Sequence, residues 1–204
     1  MTKLTAPTSA WQTGRVLVGL VVLAVLIHTY LLGAPRDGYN FFDYFGYFTN
    51  LTSALTACML VVSGVLGLTS RPALWVVSAR AVLTTCMLIV GVIYNTLVPG
   101  TGTAPAWVSV TLHIVFPVIV LIDWVLGPGR RVLAWSKLWI VIPYPLLWLM
   151  IVLVRGATDG WVPYGFLLPS RGVFSLIAHV VGLLVTLVVA GAFVWWTSRL
   201  PGRI

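Results

Sequence analysis

Charge is what this chain has least of. Only 8% of its 204 residues are charged, where a soluble domain carries about 25%, so a soluble globular class is excluded. Glutamate is absent, and the acids are Asp37, Asp43, Asp123 and Asp159. Without Glu, the H-E-x-x-H pattern of a zinc hydrolase cannot be written, and no other acid/imidazole cluster has ligand spacing. No metal and no cofactor are therefore expected. The only lysines, Lys3 and Lys137, stand at the ends of apolar runs, which excludes an intramembrane Schiff base of the retinal kind. Cys58 and Cys86 are isolated inside apolar runs. They make neither a disulfide framework nor a metal motif. G-x-S-x-G is missing as well.

What remains is apolar: 60% of residues are hydrophobic and mean hydropathy is +1.05. A membrane-spanning helix needs about 20 apolar residues, and lipid offers backbone groups no partner outside a helix or closed barrel. The runs predict an all-α polytopic membrane protein, one domain over 1–204, with transmembrane helices near 16–32, 47–68, 80–98, 107–126, 137–154 and 173–197. Breakers fall between them: Gly33-Ala34-Pro35, Arg71-Pro72, Pro99-Gly100, Gly127-Pro128-Gly129 and the longer loop 155–172. Residues 1–14 show no signal-cleavage pattern, so the first run is expected to stay as a span.

The formal net charge is +8. No basic helix or aromatic platform accompanies it, so no nucleic acid is expected. An even number of spans puts both termini on one side. With the termini in the cytoplasm, Lys3, Arg15, Arg71, Arg80, Arg130, Arg131, Lys137, Arg199 and Arg203 lie inside, against Arg36, Arg155 and Arg171 outside. That satisfies the positive-inside rule. The expected location is the cell membrane, the plasma membrane of a bacterial cell.

The second span opens with polar groups. Thr49, Thr52, Ser53 and Thr56 share one helical face, with Asn50 beside them. By topology the start of this span lies at the outer surface. His113 follows Trp107 into the fourth span, about 9 Å deep at about 1.5 Å per residue. His179 follows Arg171 into the sixth span, about 12 Å deep. His28, Tyr94 and Asn95 end the first and third spans on the same side. Ionisable groups inside spans usually face a bundle interior or cavity, so the pattern predicts a polar pocket opening outward. Pro117 has no N–H, which frees the His113 carbonyl and lets the helix bend. Asp123 marks the inner end of the fourth span, far from this pocket, as a packing residue.

Taken singly, these groups also have structural readings: hydroxyls bond their own backbone or glue helices together, and His179 is equally suited to an interhelical hydrogen bond. Among membrane chemistries, the inventory leaves a hydroxyl nucleophile with an imidazole base. Thr49 and His113 are the candidates, with Thr52 second. An alternative is a non-enzymatic protein that binds haem, quinone or lipid through His113 and His179. A small transporter is a third, weakened by the sparse polar groups of the inner half.

Tyr47-Phe48-Thr49-Asn50-Leu51 after a short first loop, Trp107-x5-His113-x3-Pro117, and Gly160-Trp161-Val162-Pro163-Tyr164 with Phe166-Leu167 resemble the androgen-induced membrane hydrolases. These are the androgen-induced-gene-1 and androgen-dependent TFPI-regulating proteins with their bacterial relatives. The resemblance spans nearly the whole chain as an order of landmarks. It implies a threonine hydrolase that cleaves fatty acid esters of hydroxy fatty acids, and it maps the family's Thr and His onto Thr49 and His113. The animal members read Val-Tyr-Pro-Phe-Leu where this chain has Val162-Pro163-Tyr164-Gly165-Phe166-Leu167, which bears on substrate preference. The substrate would be a lipid ester drawn from the bilayer, with membrane lipids as the other partners. Asn50, Tyr94, Asn95, Arg155 and His179 are the candidates for binding substrate or its oxyanion; Arg155 or Arg171 would meet a substrate carboxylate.

Overall fold

The computed structural model describes residues 6–38, 40–69, 73–100 and 104–200. Lys3, Arg71 and Arg203, part of the expected inner charge, lie outside the described residues. Among those described, the secondary structure is helical throughout, and six helices are long and apolar enough to cross a membrane. The protein is an integral multi-pass membrane protein.

The elements are α1 (Ala6–Asp37), α2 (Phe41–Gly46), α3 (Phe48–Thr69), α4 (Leu74–Leu97), α5 (Ala106–Leu126), α6 (Trp135–Thr158) and α7 (Val173–Thr197). The last coincides with its sequence expectation, but several others are corrected. Helix α1 runs through Gly33-Ala34-Pro35 to Asp37. A proline so close to a helix end forfeits one backbone bond where little helix remains to be disrupted. Helix α4 starts at Leu74 rather than near 80, because Arg80 is not a boundary charge: it is buried in an ion pair with Asp123. Helix α6 opens with a tight 3-10 stretch, Trp135–Val141, before its α-helical part, Pro143–Thr158. The two meet where Pro143 and Pro145 remove N–H donors.

Short α2 was not expected. Its signal is a reciprocal cap: Asn40 accepts the Asp43 N–H while the Asp43 carboxylate accepts the Asn40 N–H, each satisfying a donor left over at a helix start.

Helices α1 and α3 pack closely on small residues. A Cβ on Gly64 would stand 2.7 Å from the Gln12 carbonyl, so only glycine lets the backbones approach this far. Val22, Leu26, Ala57, Leu60, Leu112 and Phe116 fill the core between α1, α3 and α5. Val77, Ala81, Cys86, Trp124, Val141 and Trp195 build a second core around α4. Helices α6 and α7 turn most of their surface outward.

The two ends of the bundle differ. At one end Asp123 bonds Trp11, Arg15 and Arg80. Arg15 and Arg80 are therefore buried ion-pair partners and not loop charges of the kind that orients helices. At the other end the termini of α1, α3, α4 and α5 surround a cavity.

Candidate active site

The cavity is about 580 Å³ and carries Thr49, His113, Tyr164 and His179 on its wall. Its geometry begins with α2. The carbonyl of Tyr44 accepts the Asn50 side-chain amide at 2.9 Å, and that of Gly46 accepts the Trp148 indole N–H at 2.8 Å. Tyr47 is extended between the two helices, so the chain turns and α3 begins anew at Phe48. The same loop is pinned from α6: Arg155 pairs with Asp43 at 2.7 Å and Asp159 at 2.9 Å. Its guanidinium also lies 4.2 Å from the Trp161 ring centre. The Trp161 N–H bonds Asp159 and holds its carboxyl below the usual range. A Cβ on Gly46 would come within 2.3 Å of the Trp161 ring.

Thr49 is thus the second residue of a long helix. Its own N–H is among the first four of the helix, which have no partner within it; the fourth, that of Leu51, bonds the Tyr47 carbonyl at 3.1 Å. The helix dipole makes this end favourable for negative charge. Thr49 is buried, and its Oγ1 lies 3.2 Å from His113 Nε2.

His113 belongs to a widened turn. Residues Thr111–Val115 form a π-helical segment, closed by the Phe116 N–H on the Thr111 carbonyl. Pro117 follows, and the freed His113 carbonyl accepts the Asn95 side-chain amide at 3.3 Å. The ring is held twice. His113 Nδ1 is 2.8 Å from the Ser109 carbonyl, and Tyr94 stacks on the ring with centroids 3.4 Å apart and planes 13° apart. Tyr94 is itself anchored by Ser109 Oγ at 2.6 Å. A carbonyl only accepts, so Nδ1 carries the proton and Nε2 is left as the acceptor facing the Thr49 hydroxyl. The orienting group is therefore a backbone carbonyl rather than a carboxylate.

Of the other sequence candidates, Asn50, Tyr94 and His179 line the cavity, while Asn95 and Arg155 do not. Asn50 and Asn95 spend their amides on carbonyls, and Arg155 is held by two aspartates. His179 stacks on Phe166 and has Nδ1 2.7 Å from the Ser175 carbonyl. Thr52 is bonded to Tyr144 at 2.8 Å, so the alternative nucleophile has a phenol rather than an imidazole as its partner. Ser53 and Thr56 continue the stripe, buried and without a hydrogen-bond partner among the described residues.

Tyr164, part of the Gly160–Tyr164 landmark, is a further site residue that its sequence position does not signal. Burial pushes its phenol up to about 12, offset in part by hydrogen bonding with the Thr49 side chain and with the Thr49 and Phe48 amides. Tyr164 therefore keeps its proton at neutral pH, with its oxygen facing the donors of Phe48 and Thr49. Only the folded 160–166 loop brings it there; the chain separation from Thr49 hides the relation.

Among the described residues, no three His, Cys, Asp or Glu side chains converge as metal ligands would. No family model, curated protein or solved structure matches this chain.

Proposed function

We propose that this protein is an intramembrane threonine hydrolase that cleaves lipid carboxylic esters with a Thr49–His113 dyad. The observation that carries the reading is the 3.2 Å separation of Thr49 Oγ1 and His113 Nε2, with the imidazole tautomer fixed by the Ser109 carbonyl. A threonine hydroxyl is a weak nucleophile until a base takes its proton, and this imidazole nitrogen is placed to take it.

In the proposed reaction, His113 Nε2 accepts the Thr49 proton as Oγ1 bonds to the ester carbonyl carbon. The carbonyl oxygen becomes an oxyanion. The proposed donor for it is the Tyr164 hydroxyl, whose oxygen is backed by the Phe48 and Thr49 amides, a preorganised group of the kind that stabilises such charge. The C–O bond to the alcohol breaks, and the imidazolium returns its proton to the leaving oxygen. Water then attacks the acyl-threonine with His113 again as base, releasing the acid and restoring the hydroxyl.

The resemblance to the androgen-induced membrane hydrolases supports the same pair and extends the proposal to fatty acid esters of hydroxy fatty acids. The proposed setting is a bacterial plasma membrane, with both termini cytoplasmic by the loop-charge asymmetry. In the alternative of haem or quinone binding, His113 Nε2 would have to leave the Thr49 hydroxyl, which favours the dyad. The test is ester turnover by purified protein. Thr49→Ala and His113→Ala are each expected to lower it by about 10²–10⁴-fold. Folded variants with full activity would contradict the proposal.

A further inference from the structure

The end of the bundle that holds Asp123 carries more positive charge than it consumes. Arg15, Arg80, Arg130, Arg131, Lys137 and Arg199 gather there, and Asp123 is the one acid among the described residues of that end. Asp123 is taken by Arg15 and Arg80, and Arg80 Nη1 is still buried without a hydrogen-bond partner. Arg130 and Arg199 give donors to the carbonyls of Trp124, Leu200 and Leu133. Burial and the nearby Arg80 charge hold the Arg130 guanidinium below its ordinary value. Arg131 and Lys137 are left over. Both are exposed, and neither has an ion-pair partner among the described residues.

These two cations stand on a fixed frame. The loop between α5 and α6 is tied to the end of α7: the Leu133 N–H donates to Ser198 Oγ at 3.1 Å, and the Trp195 indole N–H to the Ala134 carbonyl at 3.1 Å. Arg199 donates to the Leu133 carbonyl at 2.8 Å while its guanidinium lies 4.5 Å from the Trp135 ring centre. Gly191 keeps α7 close to the first turns of α6, since a Cβ there would stand 3.1 Å from Leu138. Around the cations Val132, Trp135, Trp139 and Trp196 are exposed, where the apolar span of α6 begins and that of α7 ends. Cations beside exposed indoles at the end of a span match a phospholipid: its headgroup meets the charge, and the indoles lie at headgroup level. A free anion would leave the indoles and Val132 uncovered. We propose that the loop before α6 and the first turns of that helix bind an anionic phospholipid in the leaflet at this end, with Arg131 and Lys137 on its phosphate. A net-negative headgroup is selected because a zwitterionic one brings an ammonium to a site that is already cationic. The pinned loop lowers the ordering cost of binding. Helix α6 also reaches the other end of the bundle, where its Tyr144 bonds Thr52 and its Trp148 bonds the Gly46 carbonyl. A lipid held at its start therefore braces the helix that supports α3. The proposal does not depend on ester hydrolysis.

The test incubates the purified full chain in detergent with equimolar phosphatidylglycerol and phosphatidylcholine of identical acyl chains, and counts the retained lipid by native mass spectrometry. Phosphatidylglycerol is expected to be retained over phosphatidylcholine by about tenfold or more, the scale that two cations contribute near an anionic surface. In the double variant Arg131→Gln/Lys137→Gln the preference should fall toward one, and Arg131→Lys should keep it. Arg36→Gln/Arg171→Gln removes as much charge at the opposite end and should leave the preference intact, which separates a site from net charge. Added phosphatidylglycerol should raise the melting temperature of the wild type and not that of the Arg131→Gln/Lys137→Gln variant. A ratio near one in the wild type, a preference kept in that variant, or one lost equally in Arg36→Gln/Arg171→Gln overturns the site. A wild type whose melting does not respond, or responds no more than the variant, overturns the bracing. Displacement of the lipid by millimolar inorganic phosphate would make free phosphate the ligand and overturn the lipid assignment.

Discussion

The two ends of this bundle treat polarity in opposite ways. At one end, Asp123 is buried and meets Trp11 Nε1 at 2.6 Å, Arg15 Nε at 2.7 Å and Arg80 Nη2 at 2.8 Å. Arg130 and Arg199 close the same end by donating to backbone carbonyls at the ends of α5 and α7 and in the loop before α6. Polar atoms there point at one another, and the result is a clasp joining α1, α4 and α5. At the other end Arg155, Asp43 and Asp159 pair outside the cavity, while the two histidines on its wall take backbone carbonyls as fixed partners and leave a ring nitrogen open. His113 and His179 repeat one device: Nδ1 faces the carbonyl four residues back in the same helix, at 2.8 Å and 2.7 Å. The difference teaches where function lies in an apolar protein. Charge that is consumed internally holds helices together; polarity held in place with one valence left open is available to a ligand.

The comparison can be broken from either side. The largest loss of stability is expected at the clasp. Asp123→Ala leaves two buried guanidinium groups without their acid, a change worth about 3–5 kcal/mol; thermal melting in detergent should show it, with activity per folded molecule retained. At the cavity end, Tyr164→Phe removes one proposed oxyanion donor. It should lower kcat by about 10²-fold while the melting temperature stays close to wild type, and steady-state kinetics will separate the two. Gly46→Ala is intermediate, because its Cβ would press on the rigid Trp161 ring. Overpacking of this kind costs about 1–3 kcal/mol, and the shift should appear as a lowered melting temperature together with reduced turnover, since the same loop carries Tyr164. The smallest effect is expected for Thr52→Val, which removes the bond to Tyr144 at about 1 kcal/mol and leaves ester turnover near wild type. A large catalytic loss there would move the nucleophile one turn along α3.

Hydropathy made the spans legible, and α7 lies where it was expected because apolar length alone decides it. Helix α4 was misread at its start because Arg80 looks like a membrane boundary in sequence. Its partner Asp123 is forty-three residues away, and only the fold pairs them. The same pairing withdraws Arg15 and Arg80 from the charge asymmetry of the loops. Thr49 and His113 were legible as candidates because a hydroxyl and an imidazole stood at similar depth on spans of the same direction. Their contact was not, since helix rotation decides it. The π segment at His113 left only Pro117 as a trace, and the role of the Ser109 carbonyl left none, because every residue has a carbonyl.

The central claim is that the Thr49 hydroxyl is an activated nucleophile. It is tested most directly by labelling the purified protein with a fluorophosphonate probe and locating the adduct by peptide mass spectrometry. The expected result is a single adduct on Thr49 that disappears in Thr49→Ala and is strongly slowed in His113→Ala. An adduct on another residue that persists in Thr49→Ala would contradict it.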